Sequence, residues 1–245
     1  MRRLIGVFAQ NDLKVINSKK PFVPFPAFNR IKNKKWNESK IIVRARGGVL
    51  WNGTIYRLSK ITKLGDKILI ELGEIDFKTH YATSFALSIL QRRSIYERPN
   101  GIYLSSYILT SDQKFLFGYK SGKSIAQKEI NFIGGSLNKD EMEINSASDL
   151  FKFFVKEFEE ELGLSKKSIR KLRGLGIFVS DNLRIAIVFM CYLNLTQKEV
   201  LSNSSLNFEN KRLVFFSKDE LSKSINNPKI NPNIQGTFSY AYNYL

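Results

Sequence analysis

Four glutamates stand within a stretch, residues 147–162, whose hydrophobic pattern is that of a helix. At about 100° per residue, one stripe of this helix carries Leu150, Phe153, Phe154, Phe158 and Leu162. Glu157 and Glu161 fall inside the apolar stripe and Glu160 falls at its edge, whereas Glu159 faces away. An acidic run on a solvated face would lie opposite the phenylalanines. The pattern therefore predicts carboxylates that turn toward protein.

Such carboxylates must be paired or bind a cation, because desolvating them alone costs several kcal/mol. Glu157 and Glu161 are one helical turn apart and can share one cation, and Glu160 can reach a second. Oxygen ligands with no imidazole or thiolate nearby favour Mg²⁺ or Mn²⁺. Lys156 precedes Glu160 by four residues and can hold it in place, and Gly163 is predicted to end the helix.

The chain contains one histidine and one cysteine. His80 alone excludes a mechanism with two imidazoles, and Cys191 alone excludes an intrachain disulfide and a cysteine-rich zinc site. We expect His80 to be structural and Cys191, which lies in an apolar run, to be a buried thiol. Carboxylates and lysines are left to carry any chemistry.

The composition is that of a folded, basic protein. Of 245 residues, 43% are hydrophobic and 25% are charged, which argues against disorder, collagen and a coiled coil. An excess of 39 Lys and Arg over 22 Asp and Glu gives a net charge of +17, which attracts nucleotides and RNA. Because the lysines are scattered, a small nucleotide is favoured over nucleic acid as the partner. The most apolar later stretch, 185–195, is shorter than the roughly 20 residues a bilayer needs, so a soluble, cytoplasmic protein without a membrane partner is expected.

The first hundred residues predict a small β-rich domain. Residues 19–40 contain three prolines and many polar side chains, which favours an extended connector. Alternation over 55–61 and 67–72 around a Gly-Asp turn predicts a hairpin. A short helix is predicted over 83–93, and Pro-Asn-Gly at 99–101 marks a domain boundary between 1–100 and 101–245.

Residues 101–245 alternate between strand and helix patterns, which predicts an α/β sandwich with a mixed sheet. The predicted strands lie at 102–110, 115–119, 177–180, 184–195 and 213–216, and the predicted helices at 147–162, from 218 and after 232.

Gly135, five residues, Glu141, and then Lys-Glu-Phe-Glu-Glu-Glu-Leu-Gly-Leu at 156–164 resemble the Nudix box. Two features depart from the family pattern. Lys156 stands in place of arginine, which keeps the charge and loses the bidentate fork. The spacer after Glu141 has 14 residues rather than seven, and the additional residues, around 142–148, are interpreted as a longer loop before the helix.

The resemblance implies a Nudix α/β/α sandwich and a hydrolase that cuts a nucleoside diphosphate linked to another group. In the family the box glutamates hold a divalent metal that bridges the diphosphate and activates the attacking water. By resemblance Glu157, Glu160 and Glu161 are metal ligands, with Glu141 in support. Glu209 loosely matches a further catalytic carboxylate that precedes a late strand.

Part of the first hundred residues resembles the Nudix subfamily that hydrolyses UDP-glucose and UDP-galactose to UMP and a sugar 1-phosphate. The resemblance rests on Leu-Trp-Asn-Gly-Thr-Ile-Tyr-Arg-Leu at 50–58, Ile-Glu-Leu-Gly at 70–73, Asp-Phe-Lys at 76–78 and Ala-Thr-Ser at 82–84. It favours a UDP-sugar as substrate, ahead of an ADP-ribose-like compound.

The turn at 118–124 contains Gly-Lys-Ser but is not a P-loop, since only three residues separate its glycines where four are needed. Because this turn leads toward the box, Lys120 and Lys123 are candidates for binding a substrate phosphate.

Two alternatives remain open. The segment from Gly134 to Glu141 also resembles viral decapping enzymes, and the charge of +17 suits RNA. Lys156 and the long spacer are also compatible with a Nudix-like binding module of weak activity. The sequence does not set the number of subunits.

Overall fold

The computed structural model describes residues 1–45, 47, 50–121 and 129–243. Its strands are β1 (Arg2–Ile5), β2 (Leu13–Pro21), β3 (Thr54–Leu64), β4 (Lys67–Asp76), β5 (Ile102–Leu109), β6 (Phe115–Lys120), β7 (Ile130–Asn131), β8 (Ile169–Val179), β9 (Ile185–Leu193) and β10 (Asn210–Phe216). Its α-helices are α1 (Pro26–Ala45), α2 (Phe77–Ala82), α3 (Leu87–Leu90), α4 (Ala147–Leu162), α5 (Gln197–Asn203), α6 (Lys218–Ser224) and α7 (Pro232–Tyr242).

The larger sheet has the strand order β1-β8-β9-β5-β6-β10, with β7 added beside β6. Strands β5 and β9 are parallel, while β8 and β9 are antiparallel, so the sheet is mixed. Side chains along β9 alternate between two cores: Phe189 packs with α4, and Met190 packs with α6 and α7 on the opposite face. Helices therefore cover both faces, which confirms the predicted α/β/α sandwich with a mixed sheet.

A smaller sheet of order β2-β4-β3 carries the predicted hairpin. Strands β3 and β4 are antiparallel around Gly65, whose φ of 58° requires the left-handed conformation that glycine adopts without strain. Val15 and Leu72 from this sheet belong to the same core as Phe154 of α4. Helix α4 thus contributes to a core shared by the two sheets.

The prediction of an extended connector over residues 19–40 was wrong. Strand β2 continues to Pro21, and α1 then begins at Pro26. Proline is tolerated at a helix start, where its missing N–H has no partner to lose. The buried face of α1 includes Trp36, which packs against Phe77 and Tyr81. Prolines and lysines in the sequence concealed this amphipathic face.

The prediction of one helix over residues 83–93 was also wrong. Helix α2 starts earlier, because the Asp76 carboxylate accepts a hydrogen bond from the Thr79 N–H at 2.8 Å and caps it. A single 3₁₀ turn follows at 83–85, and α3 is one turn long. An aspartate three residues before a threonine, Asp76 before Thr79, is the sequence signal for this helix start.

The helix predicted over residues 147–162 is confirmed as α4, and most strands and helices expected after residue 101 are present with small shifts of their ends. The strand predicted at 177–180 is longer than expected, since β8 already begins at Ile169. Among the described residues, no helix is both long and apolar enough to cross a membrane. The division at residue 100 stays a prediction. Two features cross it: β1 pairs with β8, and Val15 and Leu72 share one hydrophobic core with residues of α4.

We expect the two sheets to unfold together. Leu72 is 1% exposed in the shared core, so Leu72→Ala should lower the free energy of unfolding by about 2–5 kcal/mol. Ile16→Ala, at a position 40% exposed on β2, is the matched control and should change little.

Both tryptophans lie in the first hundred residues, so their fluorescence reports on that region while far-UV circular dichroism reports on the whole chain. Coincident transitions shifted by Leu72→Ala are predicted. Two separate transitions, only one of them shifted, would contradict a shared core.

Candidate metal centre

The loop that carries Gly135 and Glu141 is fixed on one side by the larger sheet. The Leu104 N–H donates to the Gly135 carbonyl at 2.8 Å, and the Leu137 N–H donates to the Ile102 carbonyl at 3.0 Å. Backbone hydrogen bonds to β5 therefore fix the position of this loop relative to the larger sheet.

The same loop is held on its other side by β3. The Tyr56 N–H donates to the Leu137 carbonyl at 2.9 Å, and the Lys139 N–H donates to the Thr54 carbonyl at 2.9 Å. Lys139 also pairs with Glu74 of β4, with its Nζ 2.6 Å from Oε1. The segment at 50–58 thus supports the loop between Gly135 and Glu141.

The long spacer after Glu141 forms an ordered connection to α4. Ile144 is fully buried, and its N–H donates to the Tyr56 hydroxyl at 2.9 Å. Ser146 caps α4 by accepting a hydrogen bond from the Asp149 N–H. At its other end Gly163, with a φ of 66°, caps the helix as predicted. The predicted longer loop before the helix is confirmed.

Three carboxylates converge where the loop meets α4. One oxygen from each of Glu141, Glu157 and Glu160 lies within 4.8 Å of the others. The Lys156 Nζ bridges two of them, at 2.7 Å from Glu141 and 2.8 Å from Glu160. The predicted pairing of Lys156 with Glu160 is confirmed, and Lys156 orients Glu141 as well.

Glu157 lies against Gly135. A Cβ built on Gly135 would come within 2.7 Å of the Glu157 Oε2. Any side chain at position 135 would therefore displace this carboxylate. The glycine that opens the box is explained by this close approach.

Glu157 differs from its neighbours in electrostatic state. Burial, followed by the repulsion of Glu161 and Glu141, raises the pKa of the Glu157 carboxyl to about 8, while Lys156 opposes the shift. Within the described residues no hydrogen bond or ion pair to this carboxylate is formed. A cluster of three carboxylates with one unpaired member is a donor set that suits a hard divalent cation such as Mg²⁺ or Mn²⁺.

Glu161 has different partners. It is 2% exposed, and its Oε1 accepts a hydrogen bond from the Gly134 N–H at 2.8 Å. Its Oε2 accepts from the Lys120 Nζ at 2.8 Å and from the Asn210 Nδ2 at 2.6 Å. The Lys120 Nζ also contacts the Glu209 Oε2 at 3.2 Å. Glu161 and Glu209 are thus brought together by a buried lysine.

Lys120 remains charged in this position. Burial lowers the pKa of its ammonium group, but the carboxylates of Glu161 and Glu209 raise it by more, so the net shift is upward. The role predicted for Lys120 in binding a substrate phosphate stays a prediction, as does the role of Glu161 as a metal ligand. Lys123 lies outside the described residues.

Two residues of the site were missed from sequence. The Asn138 Nδ2 donates to the Glu141 Oε1 at 2.6 Å, and Asn210 holds Glu161. Asn138 lies within the five-residue interval of the box and could have been found there. His80 and Cys191 are buried, as expected of structural residues.

No protein-family model matches the chain, and no curated protein matches it. Among solved structures, a MutT protein from Methanosarcina mazei Go1 is 15% identical, with 59% of this chain and 93% of that chain covered and a TM-score of 0.41. A hydrolase of the Nudix family from Clostridium perfringens is 19% identical, with coverages of 60% and 98% and a TM-score of 0.38. A Nudix hydrolase from Nitrosomonas europaea is 16% identical, with coverages of 59% and 89% and a TM-score of 0.42. At such identities and scores, the family and activity of this chain rest on its own residues.

The approach of Glu157 to Gly135 makes a testable prediction. Gly135→Ala should push the Glu157 carboxylate away from Glu141 and Glu160 and weaken Mn²⁺ binding about 10-fold or more, as loss of a supporting contact does at metal sites. Gly6→Ala is the control, because a Cβ there would meet only the Arg3 Cζ at 4.0 Å. Isothermal titration with Mn²⁺ measures the effect. Equal affinity in both variants would show that Glu157 is not a ligand.

Proposed function

We propose that this chain is a Nudix-type hydrolase that cuts a nucleoside diphosphate linked to another group, with Mg²⁺ or Mn²⁺ held by Glu141, Glu157 and Glu160. The observation that carries the proposal is the convergence of these three carboxylates within 4.8 Å, at the positions expected from the box. When bound, the divalent cation would neutralise the diphosphate and lower the pKa of a water molecule.

The residues of the chain have separate tasks in this proposal. Lys156 fixes Glu141 and Glu160, and Gly135 leaves room for Glu157. Glu209 is our candidate for accepting a proton from the attacking water, because its side chain is 39% exposed and contacts Lys120 through Oε2. Glu161 anchors the end of α4 to the sheet through Lys120 and Asn210.

A UDP-sugar is the proposed substrate, ahead of an ADP-ribose-like compound. The proposal draws on the resemblance of the segments at 50–58 and 76–78 to the UDP-sugar subfamily. A cleft of about 310 Å³ borders Thr54, Glu74 and Asp76, next to the loop that ends at Glu141. Ligand sites commonly lie in clefts on the order of 300–1,000 Å³. The first hundred residues would then choose the group beyond the diphosphate.

The enzyme assignment is tested by a pair of variants on one helix. Glu160→Gln removes a ligand charge and nearly keeps the shape, so kcat/KM should fall about 100-fold or more, by analogy with the loss of one electrostatic contact in other enzymes. Glu159→Gln is the control, since Glu159 faces solvent and its Oε1 accepts from the Lys166 N–H. Turnover of UDP-glucose, ADP-ribose and a dinucleoside polyphosphate with Mg²⁺ is measured. Full activity in EDTA, or in Glu160→Gln, would refute the proposal.

An RNA-processing hydrolase is the second candidate, and the surface of α1 favours it. The net charge is +17, and the exposed surface of α1 carries four cations: Arg30, Lys34, Lys40 and Arg44. Such a face attracts phosphate backbones.

RNA binding has a distinct signature. Because neutralised phosphates release counterions, binding of a mixed RNA oligomer should weaken steeply with salt and be weak near physiological ionic strength. Replacing the four exposed cations of α1 by glutamine should reduce the salt dependence and leave hydrolysis of UDP-glucose unchanged. Tight binding that survives physiological salt, with release of a cap nucleotide, would favour the RNA-processing candidate instead.

A further inference from the structure

Lys120 is the last residue of β6, and its side chain is enclosed between the sheet and α4. It pairs in register with Asn210, the first residue of β10, and it is 5% exposed. Its ammonium group lies 2.8 Å from Glu161 and 3.2 Å from Glu209. A buried lysine with two carboxylate partners is a fixed internal cation.

The oxygens of Glu161 are already bound by groups of this chain. The Gly134 N–H donates to Oε1, and Lys120 and Asn210 donate to Oε2. Buried carboxylates need such compensation. Glu161 is not a member of the convergent group formed by Glu141, Glu157 and Glu160. The carboxylates therefore divide into two groups. Glu161 and Glu209 hold the buried Lys120, whereas the group of Glu141, Glu157 and Glu160 keeps one carboxylate, Glu157, free to bind a cation.

The charges of the two groups differ accordingly. When ionised, Glu161 and Glu209 together carry two negative charges, of which Lys120 neutralises one. Glu141, Glu157 and Glu160 carry three, of which Lys156 neutralises one. One divalent cation bound to the group of three carboxylates would neutralise the two negative charges that remain there. A divalent cation at Glu161 and Glu209 would have to displace Lys120 or lie beside it.

We infer that Lys120 is a positioning residue that takes the place of a divalent cation at Glu161 and Glu209, so that the centre binds a single divalent ion through Glu141, Glu157 and Glu160. The inference rests on the proposed function. It makes Glu161 an anchor for α4 and removes it from the ligand set.

The number of bound ions is the readout. Titration of the full chain with Mn²⁺, followed by electron paramagnetic resonance of the free ion, should give one site in the wild type. Glu161→Gln should still bind one Mn²⁺, because the substitution leaves Glu141, Glu157 and Glu160 unchanged. Lys120→Met should gain a second site at the freed Glu161 and Glu209.

Stability gives an independent readout. Lys120→Met leaves two carboxylates without their cation, so its unfolding midpoint in EDTA should fall and should recover on addition of Mn²⁺. Lys114→Met is the control, because Lys114 pairs only loosely with the exposed Glu220, at 3.7 Å. The control should bind one Mn²⁺ and show no such recovery beyond that of the wild type.

Each outcome separates the two proposals. Two sites in the wild type, with one lost in Glu161→Gln, would overturn the role of Lys120 and leave the hydrolase proposal standing. No Mn²⁺ site in the wild type would overturn the proposed metal centre itself. If Lys120→Met fails to fold, the counts for the wild type and Glu161→Gln still decide.

Discussion

Carboxylates around the C-terminal half of α4 repel one another, and the surrounding structure must compensate this repulsion. Five glutamates meet there: Glu141, Glu157, Glu160, Glu161 and Glu209. Two lysines compensate part of this charge, Lys156 at the surface and Lys120 in the interior. The part left uncompensated falls on Glu157, which burial and like charges hold at a raised pKa. A divalent cation favours the ionised carboxylate and so offsets this burial and repulsion, which is the physical basis for expecting one at Glu157.

The two sheets and the long spacer hold these carboxylates in place. Loop residues between Gly135 and Glu141 are bonded to β5 on one side and to β3 on the other. The Tyr56 hydroxyl fixes the spacer by accepting from Ile144. The first hundred residues therefore support the centre directly through backbone hydrogen bonds and the Tyr56 hydroxyl, whatever part they take in choosing the substrate.

The sequence predicted α4 to its end residues because one helix face is apolar and the caps are local. It also predicted that Glu157 and Glu161 turn inward, since helical geometry alone decides that. The partner of Glu161 could not be predicted, because Lys120 is 41 residues away and reaches it only through the pairing of β6 with β10. Helix α1 was missed for another reason: the prolines before and at its start and its many lysines concealed four buried positions spread over about four turns.

The dependence of the unfolding midpoint on Mn²⁺ tests the central claim most directly. A cation that binds only the folded chain stabilises it by about 2.7 kcal/mol at a concentration of 100 Kd, so the midpoint of the wild type should rise with Mn²⁺. Glu157→Gln replaces a carboxyl whose ionisation burial and like charges oppose, so without metal this variant should be at least as stable as the wild type, and it should gain little from Mn²⁺. A wild-type midpoint that does not respond to Mn²⁺, or an equal rise in Glu157→Gln, would contradict the account.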